Sequence, residues 1–76
     1  NRQEFDKAIT LLTEKVNNSP DDINNLFILA SLLQERQQLN QAEVYYQQII
    51  DQDGEHILAL NNLAWIKMDS DLKQAI

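Results

Sequence analysis

Laid over itself at an offset of 34, the sequence matches at seven of 42 overlapping positions: Arg2/Arg36, Gln3/Gln37, Ala8/Ala42, Ile23/Ile57, Leu26/Leu60, Leu29/Leu63 and Ala30/Ala64. Phe5/Leu39, Asp6/Asn40, Leu12/Tyr46, Val16/Ile50 and Asp21/Glu55 are conservative partners in the same register. A period of this length belongs to chains in which one two-helix unit stacks on copies of itself. Most of the matches are apolar or small residues, so what recurs is a packing pattern rather than a site.

The repeat narrows the fold, and composition narrows the chemistry. Seventy-six residues make one small domain at most, with little room for a closed catalytic cavity. Twelve acidic against six basic residues give a net charge of -6, which repels nucleic acid and anionic lipid and favours neutral or basic partners. Cysteine is absent, which removes disulfide scaffolds and thiolate metal sites without separating a cytoplasmic from a periplasmic setting. The longest apolar or small stretch, Leu26 to Leu33, is far shorter than the ~20 residues of a membrane-spanning helix, so no membrane insertion is expected. The start at an asparagine is expected of an excerpt from a longer repeat protein.

One glycine, one proline and apolar residues spaced by three and four predict an all-α chain. The spacing of Ala8, Leu11, Leu12, Lys15 and Val16 predicts a first helix over about 7–17, capped by Asp6 with Phe5 as a staple. Ser19-Pro20-Asp21-Asp22 predicts a second helix with Ser19 as cap and Pro20 in its first position, running to about Gln37. Its apolar face is Ile23, Leu26, Leu29, Ala30 and Leu33, flanked by Phe27, Ile28 and Leu32. Asn40 with Glu43 reads as a capping box opening a third helix to about Asp51 through Ala42, Tyr46, Ile49 and Ile50. After the Asp53-Gly54-Glu55 turn, a fourth helix is expected to Met68, with Ile57, Leu60, Leu63 and Ala64 on one face and Trp65 and Ile66 on others. Ser70-Asp71 is expected to start a fifth, because Leu72 to Ile76 aligns with Phe5 to Ile9 at an offset of 67. The units are then 1–22, the second helix of a first repeat; 23–56, one complete repeat; and 57–76, a truncated third.

Leu26, Leu29, Ala30 and Leu33 in one helix, Ala42, Tyr46 and Ile49 in the next, and Pro20 in the turn between units resemble the tetratricopeptide repeat over essentially the whole chain. Ala8 and Leu12 match the preceding copy, and Leu60, Leu63 and Ala64 the following one. The sequence departs from the family pattern where Leu26 and Leu60 replace an aromatic residue, Gly54 replaces the turn proline and Lys67 stands where Leu33 stood. The segment Leu60 to Trp65 is similar to repeats of large bacterial arrays. The resemblance implies helix-turn-helix units stacked as an α-solenoid, a superhelix without catalysis, in which the first helix of each unit lines a groove for an extended peptide or partner helix.

Mapped onto that arrangement, the groove positions are Asn24, Phe27, Ile28, Ser31 and Glu35 on the second helix and Leu58, Asn61, Asn62, Trp65 and Asp69 on the fourth. Asparagine both donates to and accepts from a peptide backbone, and an aromatic ring supplies contact area at low entropy cost. Asn62 and Trp65, three apart on one helix, are the expected anchors; a solvated amide and a tryptophan packed on the fifth helix are the plainer roles for the same residues. Family members that clamp acidic peptide tails carry a cation where Leu58 stands, which argues against that mode here. His56, the only histidine, sits beside Glu55 and Asp53 and reads as a first-turn surface residue rather than a metal ligand. No catalytic constellation, metal site, cofactor or phosphate loop is expected. The leading function is a protein-interaction scaffold; the alternative is a structural spacer or a segment that self-associates through exposed repeat ends.

Overall fold

The computed structural model describes residues 2–74, with side chains through Leu72. Ala75 and Ile76, at the end of the expected fifth helix, lie outside the described residues. Four helices follow one another: α1 (Arg2–Asn18), α2 (Ile23–Glu35), α3 (Leu39–Gln52) and α4 (Ile57–Gln74). The described residues contain no strand. α2 and α4 begin at Ile23 and Ile57, the two members of one matched pair. Each helix packs on its neighbour in sequence, α1 on α2, α2 on α3 and α3 on α4. The directions alternate: Arg36 beyond the end of α2 pairs with Asp6 near the start of α1, and Gln52 Nε2 at the end of α3 donates to the Pro20 carbonyl just ahead of α2. The resulting slab measures 37 × 32 × 16 Å.

The core lies in the seams. Leu26, Leu29, Ala30 and Leu33 of α2, Ala42, Tyr46 and Ile49 of α3, Val16 of α1 and Ala59, Leu63 and Ile66 of α4 form one buried cluster. Ala30 and Ala42, both fully buried, leave the side-chain volume of this seam to Leu26, Leu33 and Tyr46. In α4 the buried stripe is Ala59, Leu63 and Ile66, not the expected Ile57, Leu60, Leu63 and Ala64: Ile57 and Leu60 are 69% and 40% exposed and Ala64 is exposed too. Burial here follows α3, against which α4 packs, and residues turned away from it stay in water however apolar they are.

Several helix ends differ from the sequence reading, each for a local reason. α1 begins at Arg2, since nothing between Arg2 and Asp6 interrupts a helix; Asp6 is therefore interior and gives its carboxylate to Arg36 at 3.2 Å instead of capping. Phe5 lies under the Arg36 guanidinium, 5.8 Å from ring centre to carbon, a cation–π contact rather than a staple. The cap of α2 is Asp22, whose Oδ1 accepts from the Asn25 N–H; the Ser19 carbonyl is taken up by the Asp22 N–H in a turn that contains Pro20. α3 starts with Gln38 in the cap position and no side-chain cap, so the Asn40 and Glu43 box does not form. Nor is there a break at Ser70-Asp71: α4 runs on through both residues to Gln74, and no fifth helix begins there. Serine and aspartate permit a helix start but do not compel one.

α2 stops two residues short of Gln37 because Gln37 takes a left-handed conformation, φ 62°. The Gln38 N–H then reaches back to the Leu33 carbonyl (2.9 Å) and the Gln37 N–H to that of Gln34 (3.0 Å), the paired bonds of a Schellman turn. Glycine is the residue this conformation favours, and a side chain there costs roughly 1 kcal/mol. Gln37→Gly is expected to stabilise the chain by about 0.5 kcal/mol, the remainder being lost to the extra freedom of an unfolded glycine. The midpoint of urea unfolding measures it, and a midpoint that falls would show that the glutamine side chain does more than tolerate the turn.

Candidate functional site

Ser31 and Asn62, two of the expected groove residues, are brought together by a third residue that the groove assignment did not contain. Tyr46, fully buried in α3, donates its hydroxyl proton to Gln34 Oε1 at 2.8 Å. Asn62 Nδ2 donates to the Tyr46 hydroxyl oxygen at 3.2 Å, and Ser31 Oγ lies 3.3 Å from that oxygen. A phenol has one proton and two lone pairs, and the proton is already given to Gln34, so Ser31 donates at its contact. One hydroxyl thereby joins α2, α3 and α4. Burial pushes the Tyr46 phenol above its ordinary value, with the hydrogen bonds from Ser31 and Asn62 acting in the opposite sense.

Around this oxygen is an aromatic row. The Phe27 ring meets Tyr46 edge-on, centroids 5.9 Å apart at 69°, and stacks on His56 at 5.5 Å and 29°. His56 is half-buried, and its Nδ1 accepts the Ala59 N–H at 3.1 Å, the part a capping side chain plays for α4. It is not the surface residue expected from its acidic neighbours. The 34-residue register carried the signal, because His56 aligns with Asp22, which caps α2 in the same way.

The remaining groove residues stay in water. Asn24, Ile28 and Glu35 of α2 are exposed, as are Leu58 (60%), Asn61 and Trp65 (48%) of α4. Leu58, Asn62 and Trp65 follow one another by four and three residues and form one stripe of α4. Trp65 has no fifth helix to pack upon within the described residues. Asp69 turns elsewhere: with Ile66 it lines an open cleft of about 390 Å³ against Gln38, Leu39 and Gln41 at the start of α3. Tyr45 of α3 is half-buried against the core.

Among the described residues, no three histidine, cysteine, aspartate or glutamate side chains stand close enough to hold a metal ion, and no helix is long and apolar enough to cross a membrane. Every buried side-chain nitrogen and oxygen among them has a hydrogen-bond partner. No protein-family model matches the sequence, and neither a curated protein nor a solved structure is significantly similar to it.

Proposed function

We propose that this chain is a stretch of tetratricopeptide-type α-solenoid, a non-catalytic scaffold that binds an extended peptide or partner protein along the inner stripes of α2 and α4. The supporting observation is the pairing of exposed apolar area with a fixed polar frame. Leu58 and Trp65 stand open to solvent on the same stripe as Asn62, and Asn62 is held to Ser31 of α2 through the Tyr46 hydroxyl. Asn24, Phe27 and Ser31 on one helix and Leu58, Asn61, Asn62 and Trp65 on the other then make a surface on which an aromatic anchor sits among amides able to pair with a peptide backbone. With a net charge of -6, and with Glu35 exposed at the end of α2, the surface suits a neutral or basic segment.

A screen of immobilised peptides, neutral and lysine-containing against acidic, identifies the ligand class. For a peptide so found, Trp65→Ala is expected to weaken binding by about thirtyfold, the loss usual for a central aromatic anchor. Asn61→Ala removes a contact without touching the Tyr46 bonds, so a smaller loss there separates recognition from folding. Unchanged affinity in both variants would remove the groove from this reading.

A further inference from the structure

The crevice between α1 and α2 and the crevice between α3 and α4 are the same place in successive units, and they are filled differently. In the first, the Arg36 side chain is only 25% exposed: its guanidinium lies over the Phe5 ring and pairs with the Asp6 carboxylate at 3.2 Å. Moved on by 34 residues, Phe5 becomes Leu39, Asp6 becomes Asn40 and Arg36 becomes Ser70. Those three residues line the open cleft of about 390 Å³. A serine side chain ends at its first heteroatom, so the space that the arginine stem and head fill in the earlier crevice stays open in the later one. α3 packs on α2 beside the earlier crevice, yet what closes it is the Arg36 side chain and not the helix that follows.

A second difference gives the cleft its sign. Ile9 of α1, half-buried against the core, becomes Glu43 of α3, also half-buried, and Glu43 lines the cleft. The later copy has lost a cation and gained a carboxylate, and none of the described residues lining the cleft is basic. Glu43 has no ion-pair partner among the described residues. The uncapped start of α3 is close by, and its positive end opposes a cation. That end carries about half an elementary charge against the full charge of the Glu43 carboxylate, so the acid prevails.

We infer that the cleft receives the guanidinium group of an arginine presented by a partner protein, seated as Arg36 is seated one unit earlier. The stem lies along Leu39 and Ile66, and the head reaches the Glu43 carboxylate and the Asn40 amide oxygen, which stands where Asp6 stands beside Arg36. Arginine suits the cleft better than lysine, because its planar fork serves two acceptors at once and gives up its water more readily than an ammonium does. Neither Asn62 nor Trp65 lines the cleft, so this site is separate from any ligand in the groove.

Titration of the 76-residue chain with N-acetyl-arginine methylamide, followed by amide nuclear magnetic resonance, tests it. The backbone amides of Asn40, Gln41, Glu43 and Ser70 are expected to shift with a dissociation constant of about 1–10 mM, the scale of a single side chain. The uncharged citrulline analogue should bind about tenfold more weakly, and Glu43→Gln should weaken the arginine derivative about fivefold. Ser70→Arg, at an exposed position, fills the cleft from within the chain and should abolish the response, whereas Ser70→Ala leaves the cleft open and should keep it. Helical circular dichroism accompanies each variant. Equal responses to the arginine and citrulline derivatives, an equal response to the lysine analogue, or binding that survives Ser70→Arg would overturn the inference.

Discussion

Tyr46→Ala is expected to cost about 3–5 kcal/mol, because it removes the largest fully buried side chain together with the oxygen on which three helices meet. A chain of this length has only roughly 4–11 kcal/mol to lose, so the variant should give up between about a quarter and all of its stability. Tyr46→Phe separates the two contributions. It keeps the ring against Phe27 and removes only the hydroxyl, at an expected cost of about 1–2 kcal/mol. Ser31, Gln34 and Asn62 are half-buried and can reach water, which holds the cost to that range. Urea unfolding of both variants gives the figures; a Phe variant as stable as the parent would show that the hydroxyl bonds merely replace bonds to solvent.

The same oxygen gives the fold a dependence on alkaline pH. Burial raises the phenol in the folded chain above its ordinary value of about 10, so the folded state holds the proton more tightly than the unfolded one. The stability this represents is intact below the unfolded value and is lost as pH rises through the folded one. Tyr46→Phe should flatten that part of the decline.

Leu26→Ala and Leu60→Ala make the same chemical change at matched positions of the repeat and should differ severalfold in effect. Leu26 is fully enclosed, and its truncation leaves a cavity worth about 2–5 kcal/mol. Leu60 is 40% exposed on the open side of α4, and in dilute solution its truncation should cost less than about 1 kcal/mol. Thermal or urea unfolding at low concentration checks the pair. Equal losses would mean that the open side of α4 is covered in solution even there.

That contrast also explains what could be read from the residues alone. The three-four spacing and the turn residues place four helices in order, because those signals are local. The buried faces of α2 and α3 are legible too: Leu26, Leu29, Ala30 and Leu33 on one and Ala42, Tyr46 and Ile49 on the other follow from periodicity. The same rule misplaces Leu60 and Ala64, since burial needs a neighbour on that side and periodicity says nothing of neighbours. The helix limits differ wherever a residue permits a helix start without compelling one, as at Asp6, Ser19, Asn40 and Ser70. At the site, Tyr46 is recognisable as core, but its hydroxyl finds Ser31, Gln34 and Asn62 at separations of 12 to 16 residues. Those meetings depend on the register between packed helices, and no local pattern encodes it. The capping role of His56 was encoded, in the alignment with Asp22, but histidine is an uncommon residue for that duty.

The Tyr46 hydroxyl has one more implication, for shape. Its proton and both lone pairs are occupied by groups from α2 and α4, so those helices cannot slide past α3 without parting a bond. The seating of α2 and α4 on α3 is thus set by a discrete bonding pattern and does not vary smoothly with load. Leu12, the counterpart of Tyr46 at the 34-residue offset, has no hydroxyl, so this lock belongs to the packing of α2, α3 and α4 alone.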